Sequence, residues 1–95
     1  MKIPKTVKVG GMIYRIIDGY KFDERTDVRG LADHNQLIIR LGNMIDNNHT
    51  RELVFIHEVL HAINNVYNAE GLEEDEIDRM AHGLYQVLTD NDMVK

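Results

Sequence analysis

The sequence predicts an α+β domain in which a small antiparallel sheet packs on two helices. Two stretches rich in β-branched and aromatic residues flank a Gly-Gly pair near the N-terminus, and a third such stretch follows before residue 42. Beyond it, apolar residues recur at helical spacing over about 50–66 and again over about 73–90. A chain of 95 residues supports one modest core, so residues 1–95 are read as a single domain.

Thr6 to Val9 and Met12 to Ile17 read as strands joined at Gly10-Gly11, the composition of a tight hairpin. Asp18 to Asn35 is polar, carries little helix or strand signal and reads as a long connection. Leu37-Ile-Ile-Arg-Leu41 is the next strand. Gly42 to Asn48 is turn-like, and Thr50 is the expected cap of the first helix, with Glu52 where a helix start favours negative charge. At 100° per residue Phe55, Val59, Ala62 and Val66 share the face expected to pack on the sheet, with His57 and His61 nearly opposite. Tyr67 to Glu73 is a loop with Gly71 as its breaker. The second helix carries an expected apolar stripe of Ile77, Met80, Ala81, Leu84 and Leu88.

The formal charge is −5, from 11 Lys+Arg against 16 Asp+Glu, which argues against the basic footprint of a nucleic-acid binder. The longest apolar run, Leu53 to Ile56, is far too short to span a bilayer. Met1 to Gly10 lacks a signal-peptide core, so a cytoplasmic protein with no membrane partner is expected. With no cysteine, any metal must be held by histidines and carboxylates.

Within the first helix stands His57-Glu58-Val59-Leu60-His61, the pattern His-Glu-x-x-His. Histidines at i and i+4 project from one helix face, so both imidazoles can reach one tetrahedral zinc. Glu58 is turned about 100° round the helix, which suits it to a water on the metal rather than to the metal itself. Zinc brings the pKa of such a water towards about 7, and a carboxylate beside it can act as general base while the water attacks a polarised carbonyl. The same residues could instead decorate an exposed helix face. The neighbours Leu53, Val54, Ile56, Leu60 and Ile63 make the helix apolar nearly all round, and a covered His-Glu-His set needs pairing.

A catalytic zinc needs a third protein ligand, and Glu73-Glu74-Asp75-Glu76 with Asp78 opens the second helix. On the helical wheel Glu74 borders the apolar stripe on the same side as Asp78, so Glu74 is the expected ligand. Glu76, Glu73 and His82 are the alternatives, His82 giving a three-histidine site. Asp78, one turn after Glu74, can accept the remaining N–H of a ligating histidine and so fix its tautomer. His34 and His49 are expected to be solvated loop residues. Tyr67 and Tyr85 could each donate to an oxyanion, though packing is the simpler role for both.

The His-Glu-x-x-His helix, the short loop and the Glu74 to Asp78 spacing are similar to the gluzincin branch of zinc metallopeptidases. The chain also resembles the small ImmA/IrrE-like metallopeptidases of phages and prophages, at Gly10-Gly11, Leu37 to Leu41, His57 to Ala62 and Leu84 to Leu88. The resemblance implies a minimal zincin-like domain that hydrolyses peptide bonds with zinc, with His57, His61 and an acid matching Glu74 as ligands and Glu58 as base. It also implies that the strand before the active-site helix lines the cleft and pairs with an extended protein or peptide substrate, which a regulatory protein could supply. Selectivity is then expected from the sheet edge and the loop Asp18 to Asn35. Two other readings belong to different classes: a non-catalytic zinc-binding regulatory module of phage or mobile-element origin, and a metal-free domain whose histidines and acids form a polar network.

Overall fold

A computed structural model describes residues 1–23 and 27–94 of the chain. Among them the elements are β1 (Thr6–Val9), β2 (Met12–Tyr20), β3 (Gly30–Asp33), β4 (Ile38–Gly42), α1 (Asn48–Asn68) and α2 (Glu74–Asp90), so the α+β class holds.

The sheet order is β1-β2-β4-β3, and the sheet is mixed rather than antiparallel. β1 and β2 form the expected hairpin, Val9 opposite Met12, with Gly10 at φ +59° where a two-residue turn of this kind requires a positive φ. β4 then pairs parallel to β2 on one side and antiparallel to β3 on the other. The parallel pairing arises because β3 supplies the return run. The chain leaves β2, forms β3 at the far edge and folds back, which places β4 between them. β4 is therefore the strand paired on both sides, and its near-continuous burial suits that central place.

β3 lies inside the stretch read as a connection. Gly, Ala and Asp are depleted in strands, so Gly30-Leu-Ala-Asp33 has little strand signal of its own. It is a strand because β4 offers it a ladder and α1 packs on it. The turn after it is closed by the Asp33 carboxylate, which accepts from the amides of Asn35 and Gln36 at 3.1 and 2.9 Å. Residues 24–26 of the expected connection lie outside the described residues.

α1 begins earlier than expected, because Asn47 rather than Thr50 is the cap: its side chain accepts from the Thr50 amide at 2.8 Å. His49 accordingly sits in the first helical turn and not in a loop, with its ring edge-to-face on Tyr85. The helix runs past its expected end near 66 to Asn68 and is closed by Ala69 and Glu70, both left-handed, at φ 47° and 58°. Buried Asn64 stabilises this exit by accepting from the Leu72 amide at 3.1 Å and from Asn68 at 3.0 Å. α2 is opened by a capping box in which the Glu76 carboxylate accepts from the Glu73 amide at 2.8 Å.

The core joins Val9, Tyr14, Ile39 and Leu41 of the sheet to Phe55, Ile56 and Ala62 of α1 and to Ala81 and Tyr85 of α2. Phe55 and Ala62 are buried on the expected face, with Val59 and Val66 half-buried beside them. On α2 the stripe is rotated from expectation: Ile77, Ala81 and Tyr85 are buried, whereas Met80 and Leu84 are exposed. Tyr85 takes the inner place because its hydroxyl donates to Glu52 of α1 at 2.8 Å, so its polar tip is satisfied while its ring packs. No helix among the described residues is long and apolar enough to cross a membrane.

Candidate metal centre

α1 and α2 are antiparallel, so the start of α2 returns beside the middle of α1. Nε2 of His57 and Nε2 of His61 are 3.2 Å apart, the i, i+4 neighbours of one helix face. The carboxylate of Glu74 reaches across to both, with one oxygen 2.8 Å from His57 Nε2 and the other 2.7 Å from His61 Nε2. Each of the three residues offers one ligand atom, and all three atoms lie within 4.8 Å of one another. Ligands about 2.0–2.1 Å from a tetrahedral zinc stand roughly 3.3 Å apart, so a small outward relaxation of these donors admits the ion. The set therefore fits a divalent metal in both chemistry and spacing.

The other acids at the start of α2 have different employment. Glu73 and Glu76 are tied to the capping box, and Asp75 pairs with Arg79 at 2.7 Å. Asp78 lies with one oxygen 3.3 Å from Nδ1 of His57, the ring nitrogen turned away from Glu74, as a residue orienting that imidazole would. His82 is one turn further on, exposed, with Nδ1 2.8 Å from the Asp78 carbonyl, and it is not part of the donor cluster. Tyr85 is three turns from Glu74, about 16 Å of helical rise, and its hydroxyl is engaged by Glu52. Tyr67 is 70% exposed at the end of α1.

Glu58 differs from the other acids in being buried. Its carboxylate lies under β3, where the backbone N–H of Ala32 donates to it. Loss of water pushes its pKa up to about 7, with His57 opposing and Glu74 adding to the rise. Burial also lowers the pKa of His61, partly countered by Glu74, and this favours the neutral ring that ligates metals.

Gly30 makes this arrangement sterically feasible. A Cβ there would stand 2.6 Å from Val54 Cγ1 and 2.9 Å from Glu58 Oε2. Gly30→Ala is therefore expected to displace Glu58 from β3 and to lower stability by about 1–3 kcal/mol through overpacking. Urea unfolding checks this, and a midpoint equal to wild type at unchanged slope would contradict it.

A cleft of about 410 Å³ opens beside the cluster, lined among others by Val28, Gly30, Val54, His57, Glu74 and Asp78. The strand at its rim is β3 and not Leu37 to Leu41. β4 is paired on both sides, so it has no free edge to offer a substrate, whereas β3 is an edge strand among the described residues. Sequence reasoning missed β3 and its contact with Glu58; the signal that could have found it is Gly30, a small residue at the close approach of strand and helix.

The class of molecule defined here is a small α+β domain with a His/His/Glu donor cluster next to a buried carboxylate. Compared with models of protein families, with curated proteins and with solved structures, the chain matches none.

Proposed function

We propose that this protein is a zinc-dependent peptide hydrolase in which His57, His61 and Glu74 hold the metal and Glu58 is the general base. The observation that carries the reading is the convergence of three donors from two helices beside a buried carboxylate, at the free edge of a strand. A divalent ion there would polarise a carbonyl oxygen and acidify a water. Glu58, poised near neutrality, takes a proton from the attacking water and can return it to the leaving amine. Asp78 holds the His57 ring in place. β3 presents backbone groups with which an extended peptide can pair, so the substrate class is a protein or peptide chain.

The His-Glu-x-x-His helix and its likeness to gluzincins and to ImmA/IrrE-like metallopeptidases support the same assignment, as does a set of three protein ligands, which leaves a fourth position for water. A structural zinc site usually fills all four positions with protein ligands. Cytoplasmic residence and a regulatory protein as substrate complete the proposal, the former suiting a chain without cysteine. Incubation of the zinc-loaded protein with a degenerate peptide library, with new termini read by mass spectrometry, tests it. Cleavage that a chelator abolishes and zinc restores is the expected result; an intact library with the metal bound would favour the non-catalytic regulatory module.

A further inference from the structure

The turn between β3 and β4 carries His34, a half-buried residue rather than the solvated one its loop position suggested. Its Nδ1 is 3.0 Å from the hydroxyl of Tyr14, and the two rings meet edge to face. Tyr14 is fully buried, and burial pushes its pKa above the ordinary phenol value, so the hydroxyl keeps its proton. A buried hydroxyl proton without an acceptor is unfavourable, and among the described residues Nδ1 of His34 is the partner within hydrogen-bond distance of it. Tyr14 thus donates. A neutral imidazole that accepts at Nδ1 carries its proton on Nε2, so the far side of the ring is a fixed N–H donor.

The packing of β3 on α1 shows which part of the helix His34 follows. Gly30 lies against Val54 and Glu58, and Ala32 bonds to Glu58, so strand and helix advance in the same direction. His34 is two residues past Ala32, in the turn that leaves the end of β3. One helical turn past Glu58, about 6 Å, reaches His61 and Ala62. His34 therefore lies past the Glu58 end of this contact, near enough to His61 for the two rings to interact electrostatically.

Building on the peptidase reading, we propose that His34 is a substrate-contacting residue whose Nε2–H, fixed by Tyr14, donates to the oxygen of the carbonyl under attack. As the water oxygen bonds to the carbonyl carbon, the carbonyl π pair moves onto the carbonyl oxygen and the water proton passes to Glu58. No bond is made or broken at His34. Its hydrogen bond strengthens as charge develops, and loss of one such donor lowers kcat by about 10²–10³.

The test has two parts. In the metal-free wild type, long-range ¹H–¹⁵N correlation spectra should show the His34 proton on Nε2, and Tyr14→Phe should mix the tautomers; a proton fixed on Nδ1 in the wild type overturns the proposal. With a cleaved library peptide as substrate, His34→Phe should keep the wild-type zinc affinity and KM while kcat falls, and His34→Gln, which retains an N–H donor, should recover part of the loss. His34→Gln also serves where His34→Phe fails to fold. A wild type that cleaves while both variants match it sinks this proposal alone. A wild type that binds zinc but cleaves nothing sinks the hydrolase reading and this proposal with it.

Discussion

Saturating zinc is expected to raise the thermal unfolding midpoint of the wild-type protein by roughly 15–30 °C, and a chelator to reverse the shift. A ligand that binds only the folded state stabilises it by about 4 kcal/mol at a thousandfold excess over Kd. Each kcal/mol moves the midpoint of a domain this size by about 4–8 °C. The Glu74 carboxylate reaches both His57 and His61, so the donors are already gathered and little reorganisation opposes binding. His57→Ala, His61→Ala and Glu74→Gln each remove a donor and should abolish most of the shift, whereas Glu73→Gln should retain it, because Glu73 belongs to the capping box. Calorimetric scans with and without zinc decide the matter. An equal shift in wild type and His57→Ala would place the metal elsewhere, and no shift in wild type would leave the cluster a metal-free polar network.

Glu58→Gln should bind zinc as the wild type does, cleave peptides about 10²–10⁴-fold more slowly, and yet be the more stable protein at high pH when metal-free. The sign follows from burial. The folded-state pKa of Glu58 is about 7 against an ordinary 4.5, so the folded protein holds this proton more tightly than the unfolded chain. Stability from this group is fully present below about pH 4.5 and is lost as pH rises towards 7 and beyond. The penalty at pH 8 is on the order of 3 kcal/mol. Glutamine cannot ionise, yet its side-chain oxygen can still accept from the Ala32 amide. Urea midpoints of the chelated proteins should therefore agree near pH 4.5 and diverge at pH 8 in favour of the variant. A variant less stable than wild type at both values would show that Glu58 is a structural carboxylate and not a strained functional one.

How legible each feature was in the chain depended on how local its cause is. His57 and His61 share a face by helical periodicity alone, and the placement of Glu74 on the wheel needed only a second helix with a regular stripe. The capping box that engages Glu73 and Glu76 is likewise a local pattern, Glu at the cap and Glu three residues on, and it could have separated Glu74 from its neighbours. The exchange of Leu84 for Tyr85 in the buried stripe was less accessible, because it depends on Glu52, 33 residues away. His34 read as solvated because its partner, Tyr14, is 20 residues earlier on another strand.

By itself, then, the sequence determined the α+β class, the β1–β2 hairpin, both helices and the spacing of the His-Glu-x-x-His donors, since periodicity, turn chemistry and i, i+4 geometry act within a few residues. Tertiary structure alone decided that β3 exists, that β4 runs parallel to β2 and has no free edge, and that Glu58 lies buried under Ala32. A four-residue strand of poor intrinsic propensity forms only where a neighbour completes its hydrogen bonds and a helix covers its face, and the raised pKa of Glu58 arises only once that cover has removed the water.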